Sequence, residues 1–217
     1  MSIRRNSPAR EDADASKLPQ RLTRRSLPRD TVALARALIG VTLIHELPSG
    51  PLGVRVVETE AYPVGDAAGL SFRGRTKRNS PLFQDFGRIH VYLNYGTSWL
   101  INIASETEGV GAGVLFRAGE PVFGIEEMKR RRDKTRLVDL ASGPGKLCQA
   151  LGVDNRQDDG DFFSGGDVWL GEPTQAVGAI GVSVRIGISK DAERPLRFYE
   201  RANPHVSGPK RGLVQAG

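Results

Sequence analysis

The chain has 217 residues, 39% of them hydrophobic and 26% charged, with a formal net charge of +6. That length supports one large domain or two small ones around a real buried core. There is no apolar run long enough to span a membrane and no signal-peptide pattern, and the single cysteine, Cys148, excludes an intrachain disulfide and fits a reducing compartment. His45, His90 and His205 have no cysteine or carboxylate at ligand spacing, so no metal is expected. The basic excess points to a polyanionic partner, nucleic acid first. Part of it lies near the start, where residues 1–30 carry eight basic against four acidic side chains.

Residues 1–20 are polar and poor in aromatics, and read as a disordered tail that adds non-specific DNA affinity. Asp30 can cap a helix from Thr31 to Ile39 that Gly40 stops. Val41 to Glu46 reads as a strand, Pro48 to Gly53 as a turn, and Val54 to Glu60 as the return strand. The stretch Val56-Val-Glu-Thr-Glu-Ala-Tyr62 then places two carboxylates and an aromatic ring at alternate positions, hence on one face. Taken alone, it reads as an edge strand with a solvated acidic face. Residues 63–81 have no period and carry Arg73, Arg75, Lys77 and Arg78, which gives the loop phosphate-binding character; a solvated basic loop is the equal alternative.

Arg88 to Asn94 and Trp99 to Ala104 form a hairpin signal with Tyr95-Gly96 at the tip. A large half-apolar ring there either packs back or inserts into a partner, and wedges entering the base stack are a recurrent device on DNA. Val114 to Ala118 reads as a strand broken by Glu120-Pro121. A helix from about Val122 ends in Lys129-Arg-Arg-Arg132, where positive charge suits the helix dipole. Ser142-Gly-Pro-Gly-Lys146 looks like a capped helix start with exposed amides beside Lys146, suited to a phosphate; Gly152 stops that helix and Cys148 packs within it. Asp167 to Leu170, Val182 to Ile188 and Leu196 to Tyr199 read as closing strands, and from Asn203 the chain reads as a loose tail. No domain boundary or internal repeat is evident.

With these pieces in order, the chain resembles the alkyladenine (3-methyladenine) DNA glycosylase family from about Leu27 to about Ser207. The resemblance rests on Val57-Glu-Thr-Glu-Ala-Tyr62, Arg75-Thr-Lys-Arg-Asn79, Val91-Tyr-Leu-Asn-Tyr-Gly96 with Asn102, Leu115-Phe-Arg-Ala-Gly-Glu-Pro121, Ser142 to Leu151, and Arg194-Pro-Leu-Arg-Phe-Tyr199. It implies an α+β single domain around a curved antiparallel β-sheet, with flanking helices and a protruding, DNA-inserting β-hairpin. The divisions expected are a tail at 1–20, a glycosylase domain at 21–207 and a C-terminal tail at 208–217. The implied activity is hydrolysis of the N-glycosidic bond of damaged purines (3-methyladenine, 7-methylguanine, 1,N6-ethenoadenine, hypoxanthine) flipped out of duplex DNA, leaving an abasic site.

By position, Glu60 resembles the family's catalytic carboxylate and Arg117 the arginine beside it that helps hold the nucleophilic water. Tyr62 and Tyr92 match walls of the base pocket, Asn102 the residue that rejects the guanine amino group, and Tyr95 the residue that replaces the flipped nucleotide. Gly143 and Lys146 match a phosphate-contacting region, and Arg73, Arg75, Lys77 and Arg78 are expected on the DNA backbone. The family places a histidine against the base after an Ala-Ala pair; here Gly69 follows Ala67-Ala68. Asn94 and Thr97 replace apolar residues that flank the family's intercalating tyrosine. These differences bear on substrate range and lesion affinity.

No lysine sits where a Schiff base would be expected, so the implied enzyme is monofunctional, without lyase action, metal or cofactor. The expected partner is double-stranded DNA, with no membrane contact and a monomeric chain. The expected location is cytoplasmic, at the bacterial nucleoid, or nuclear, and not secreted. A second reading is a damage- or structure-recognising binding module whose catalysis is weakened at Gly69.

Overall fold

The computed structural model describes residues 18–208, so residues 1–17 of the tail expected at 1–20, and residues 209–217 of the one expected at 208–217, lie outside the described residues. The elements run α1 (Thr31–Ala37), β1 (Thr42–Leu47), β2 (Gly50–Tyr62), β3 (Ile89–Asn94), β4 (Ser98–Ala104), β5 (Gly113–Phe123), α2 (Ile125–Arg132), α3 (Pro144–Leu151), β6 (Val168–Gly171), β7 (Ile180–Ser183) and β8 (Arg197–Glu200). Every strand pair is antiparallel. The sheet order is β3-β4-β5-β2-β1-β6, with β8 added to β2 and β7 to β8. This is the expected single α+β domain built on a curved antiparallel sheet. Leu18 already packs against the Ile44, Phe123 and Trp169 cluster.

The acidic strand is not an edge. β2 lies against β5 along most of its length, while its other side is shared between β1 (from Gly50 to Arg55) and β8 (from Glu58 to Glu60). Residues 52–61 are all buried, so the two carboxylates cannot be solvated and need partners inside the protein. Register shifts flank Glu58; it pairs with Ala118 and Thr59 pairs with Phe116, which leaves Arg117 as the extra residue of β5. A bulge re-aims a side chain, and here it sends Arg117 toward the carboxylates.

Two boundaries differ from the sequence reading for the same kind of reason. β5 runs straight through Glu120-Pro121 to Phe123, because Pro121 sits at another register shift, where its missing N–H breaks no regular ladder. The following helix therefore starts at Ile125 rather than Val122. Its basic end is paired within the helix: Glu127 holds Arg130 and Arg131, and Glu126 holds Lys129. Asp30 does cap α1, accepting from the Ala33 amide at 2.8 Å. In α3 the cap is Gly143, not Ser142, whose hydroxyl donates to the Val138 carbonyl.

The main core joins α1 (Leu34), α3 (Leu147, Leu151) and the inner sheet face (Val56, Ile101, Phe116). Cys148 is part of it, and burial pushes its thiol far above the usual range, as the packing reading requires. Beside the core, the buried Arg55 grips Glu200 with two hydrogen bonds of 2.6 Å. The Gly178 amide and the Asn203 side chain donate to the same carboxylate. Arg55 first, then these donors, pull Glu200 from 4.5 down to about 2. A depressed carboxylate stabilises the fold above its unfolded value and loses that contribution as pH falls through its folded one. On the order of 3 kcal/mol should therefore disappear between about pH 4.5 and about pH 2. Denaturant melts should show a shallower acid limb for Glu200→Gln than for wild type; identical limbs would remove this residue from the account.

Candidate active site

A cavity of about 420 Å³ opens between the hairpin β3–β4, the end of β2, the 63–81 loop and the segment after β7. Its volume lies in the range of small-molecule sites. Tyr62, Leu70, Tyr92, Tyr95, Asn102, Arg117 and Ile186 are among the lining residues.

Glu60 lies just beneath this lining, with no exposed surface. Its Oε1 accepts from the Ile186 amide at 2.8 Å. Its Oε2 accepts from the Tyr62 hydroxyl at 2.9 Å and faces Arg117 Nη1 at 3.1 Å. All three holders line the cavity. A carboxylate has about four lone-pair positions, so Oε1 keeps capacity for one more donor. Glu58 takes a different part. It is equally buried and accepts from Arg117 Nε (2.8 Å), Arg197 Nε (2.7 Å), the Ser207 hydroxyl (2.9 Å) and the Ser207 amide (2.6 Å). It thus accepts four hydrogen bonds, none from a residue at the cavity except Arg117.

Arg117 spans the two acids. Burial disfavours its charge, but Glu60 and Glu58 outweigh that and hold its pKa above the ordinary value. Burial, then the charge on Glu60, drives the Tyr62 phenol far above the usual range, and pushes Tyr92 up to about 12. Both walls therefore stay neutral rings at ordinary pH. Tyr92 is backed by His90, stacked at 5.6 Å, whose Nδ1 lies 3.1 Å from Asp158. Asn102 is buried and donates to the His90 carbonyl across the hairpin.

Tyr95 is 89% exposed at the hairpin tip, and both Tyr95 (φ 47°) and Gly96 (φ 71°) are left-handed. The turn closes through the Thr97 amide to the Asn94 carbonyl at 3.0 Å. A bulky residue at positive φ is uncommon and strained, and this one stands in the turn with its ring almost wholly exposed. Arg73, Arg75, Lys77 and Arg78 are all exposed on the neighbouring loop. Asn79 shapes that loop: it accepts from Thr76 and donates to the Leu70 and Gly74 carbonyls. Arg78 ties it to the hairpin through the Leu93 carbonyl. Lys146 is exposed in the first turn of α3, next to Pro144 on the cavity wall.

Gly69 does not line the cavity; Ala68 and Leu70 do. The Gly69 amide donates to the Asp66 carbonyl at 2.9 Å, so a tight turn directs it away and leaves Leu70 as the apolar wall. Other residues of the site carried no mark in the sequence. Ser207 belongs to a segment expected to be loose, yet His205, Val206 and Ser207 are buried, and Ser207 binds Glu58. The strand expected at Val182 to Ile188 ends at Ser183; its continuation carries Ile186 to the cavity wall, with Arg185 buried beside it. Asp66 and Arg185 form a fully buried ion pair at 2.8 Å. The hint for Arg197 was its place in the Arg194-Pro-Leu-Arg-Phe-Tyr199 motif.

Among the described residues no group of His, Cys, Asp or Glu could hold a metal ion. The methylpurine-DNA glycosylase profile matches residues 25–204. A protein of Mesorhizobium japonicum, provisionally named 3-methyladenine DNA glycosylase, is 53% identical over 189 residues, covering 87% of this chain and 91% of its own. Proteins with the same provisional name from Paraburkholderia phytofirmans (45% over 193 residues; 89% and 91%) and Methanocella arvoryzae (42% over 192 residues; 83% and 95%) are similar along comparable lengths. With its match spanning most of the domain, this chain belongs to the methylpurine-DNA glycosylase family.

Proposed function

We propose that this DNA glycosylase excises damaged purines, 3-methyladenine and hypoxanthine among them, after rotating the nucleotide out of the duplex. The observation that carries the reading is Glu60. It is a buried carboxylate held by Arg117, Tyr62 and Ile186 directly beneath an aromatic cavity, beside an exposed wedge at Tyr95.

Base removal leaves positive charge developing on the deoxyribose. A fixed carboxylate stabilises that charge and takes a proton from the attacking water; a cationic purine leaves as the neutral base, while hypoxanthine leaves as its anion and is protonated by solvent. The unshared acceptor position on Oε1 suits that water, and Arg117 supports it from the side. Tyr62 and Tyr92 supply flat walls on which an extruded purine stacks. Tyr95 fills the gap in the helix, and Arg73, Arg75, Lys77, Arg78 and Lys146 take the phosphates. The bond is cut by water rather than by an amine, so the enzyme is monofunctional and its product is an intact abasic strand. One monomer on damaged double-stranded DNA suffices for every role.

Two experiments test this. Duplexes carrying single lesions, incubated with the protein, should yield free base and an alkali-labile but unbroken strand; a strand cleaved without alkali would contradict the hydrolytic route. Tyr95→Ala should leave the thermal midpoint in place, because the ring is 89% exposed. The same variant should weaken binding to a lesion duplex by roughly tenfold, the scale of one stacked ring. Unchanged affinity would remove the wedge from the mechanism.

A further inference from the structure

The Tyr62 ring has two chemically different faces. One borders the cavity. Against the ring, with its guanidinium carbon 4.6 Å from the centroid, lies Arg185, which does not line the cavity and is 4% exposed. The guanidinium is held firmly. It donates to the Ala61 carbonyl (3.0 Å) and the Asp191 carbonyl (3.2 Å), and pairs with Asp66 at 2.8 Å. Asp66 also takes Arg194 at 3.0 Å, so its charge is divided between two guanidiniums. The Arg185 Nε is buried without a partner. A cation has been fixed behind the wall against which the proposed substrate stacks.

We propose that Arg185 is a specificity-determining residue of the base pocket, and that from behind the Tyr62 ring it biases the site toward neutral bases over cationic ones. The inference rests on the base-excision reading and deepens it. An aromatic face attracts a cation through its electron density. A guanidinium already on one face draws that density toward itself and repels a second cation across the ring, in a setting where water screens little. A purine methylated at N7 reaches the pocket as a cation; hypoxanthine reaches it neutral. Only the first meets the repulsion. Tyr62 and Tyr92 alone would favour the cation, and Arg185 offsets that advantage.

A mere anchor would behave differently, since loosening the wall slows every substrate alike. The test is therefore a ratio. Single-turnover release from matched duplexes holding 7-methylguanine or hypoxanthine is measured for wild type, Arg185→Met, Arg185→Lys and Asp66→Asn. Arg185→Met should raise the 7-methylguanine to hypoxanthine rate ratio by at least roughly threefold over wild type. Arg185→Lys keeps the charge and should hold the ratio near wild type even if both rates fall. Asp66→Asn strips away the counter-charge and should lower the ratio; it also serves if Arg185→Met fails to fold. A ratio unmoved in both Arg185→Met and Asp66→Asn, or moved equally by Met and Lys, overturns the inference. If wild type releases neither base, the excision reading fails and this inference falls with it; if it releases both and the ratio stays fixed, only this inference fails.

Discussion

Glu60→Gln should lower the rate of base release by at least about a thousandfold while leaving lesion-duplex binding within a few-fold of wild type. The estimate combines proton removal from water, worth roughly 10²–10⁴ in rate, with loss of the negative charge facing the developing sugar cation. Shape is conserved, so Tyr62, Tyr92, Tyr95 and the basic loop keep their places. The hydrogen bonding is not conserved. Both Glu60 oxygens face donors, the Ile186 amide on one and Tyr62 with Arg117 on the other. A glutamine must point its NH₂ at one of them, at a cost of about 1–3 kcal/mol. The variant should thus melt a few degrees early yet remain folded at assay temperature. Release within tenfold of wild type would show that another group does the chemistry.

Glu58→Ala should show the converse pattern, with stability lost first. Glu58 has no exposed surface and balances two buried guanidiniums, Arg117 and Arg197, while Ser207 donates to it twice. Deleting one partner of such a network leaves uncompensated buried charge and costs about 3–5 kcal/mol. For a domain of this size that is a fall of roughly 10 °C in Tm. Activity should also drop, because Arg117 loses the bond at Nε that orients its other end toward Glu60. Measured well below its own melting point, however, Glu58→Ala should keep more activity than Glu60→Gln. A Tm within 2 °C of wild type, against that roughly 10 °C fall, would mean that the network does not anchor the site.

Much of this site could be read from the chain because its chemistry is local. Glu58, Glu60 and Tyr62 share a strand face by alternation alone, and Tyr95 stood out as a large ring in a turn. What could not be read depends on partners far away in sequence. Whether a strand is an edge or a centre is decided by β8, which joins β2 from about 140 residues later. The two acids separate in rank only when Arg197 and Ser207 arrive on Glu58. Pro121 reads as a breaker unless the register shift opposite it is known. Gly69 and Leu70 exchange roles because a single turn at Asp66 sets which of them faces the cavity. Arg185, inside a stretch that reads as an ordinary closing strand, gives no sign that it will reach the back of Tyr62.

If Glu60 acts as proposed, the cavity above it is a place of chemistry and not only of recognition. Single-turnover incubation of the wild-type protein with a duplex holding one hypoxanthine or 3-methyladenine, beside an undamaged duplex of the same sequence, tests it most directly. Free damaged base should appear with an abasic strand in equal amount, and the undamaged control should release nothing. Tight binding to the lesion duplex with no base released would contradict this and make the protein a reader of damage.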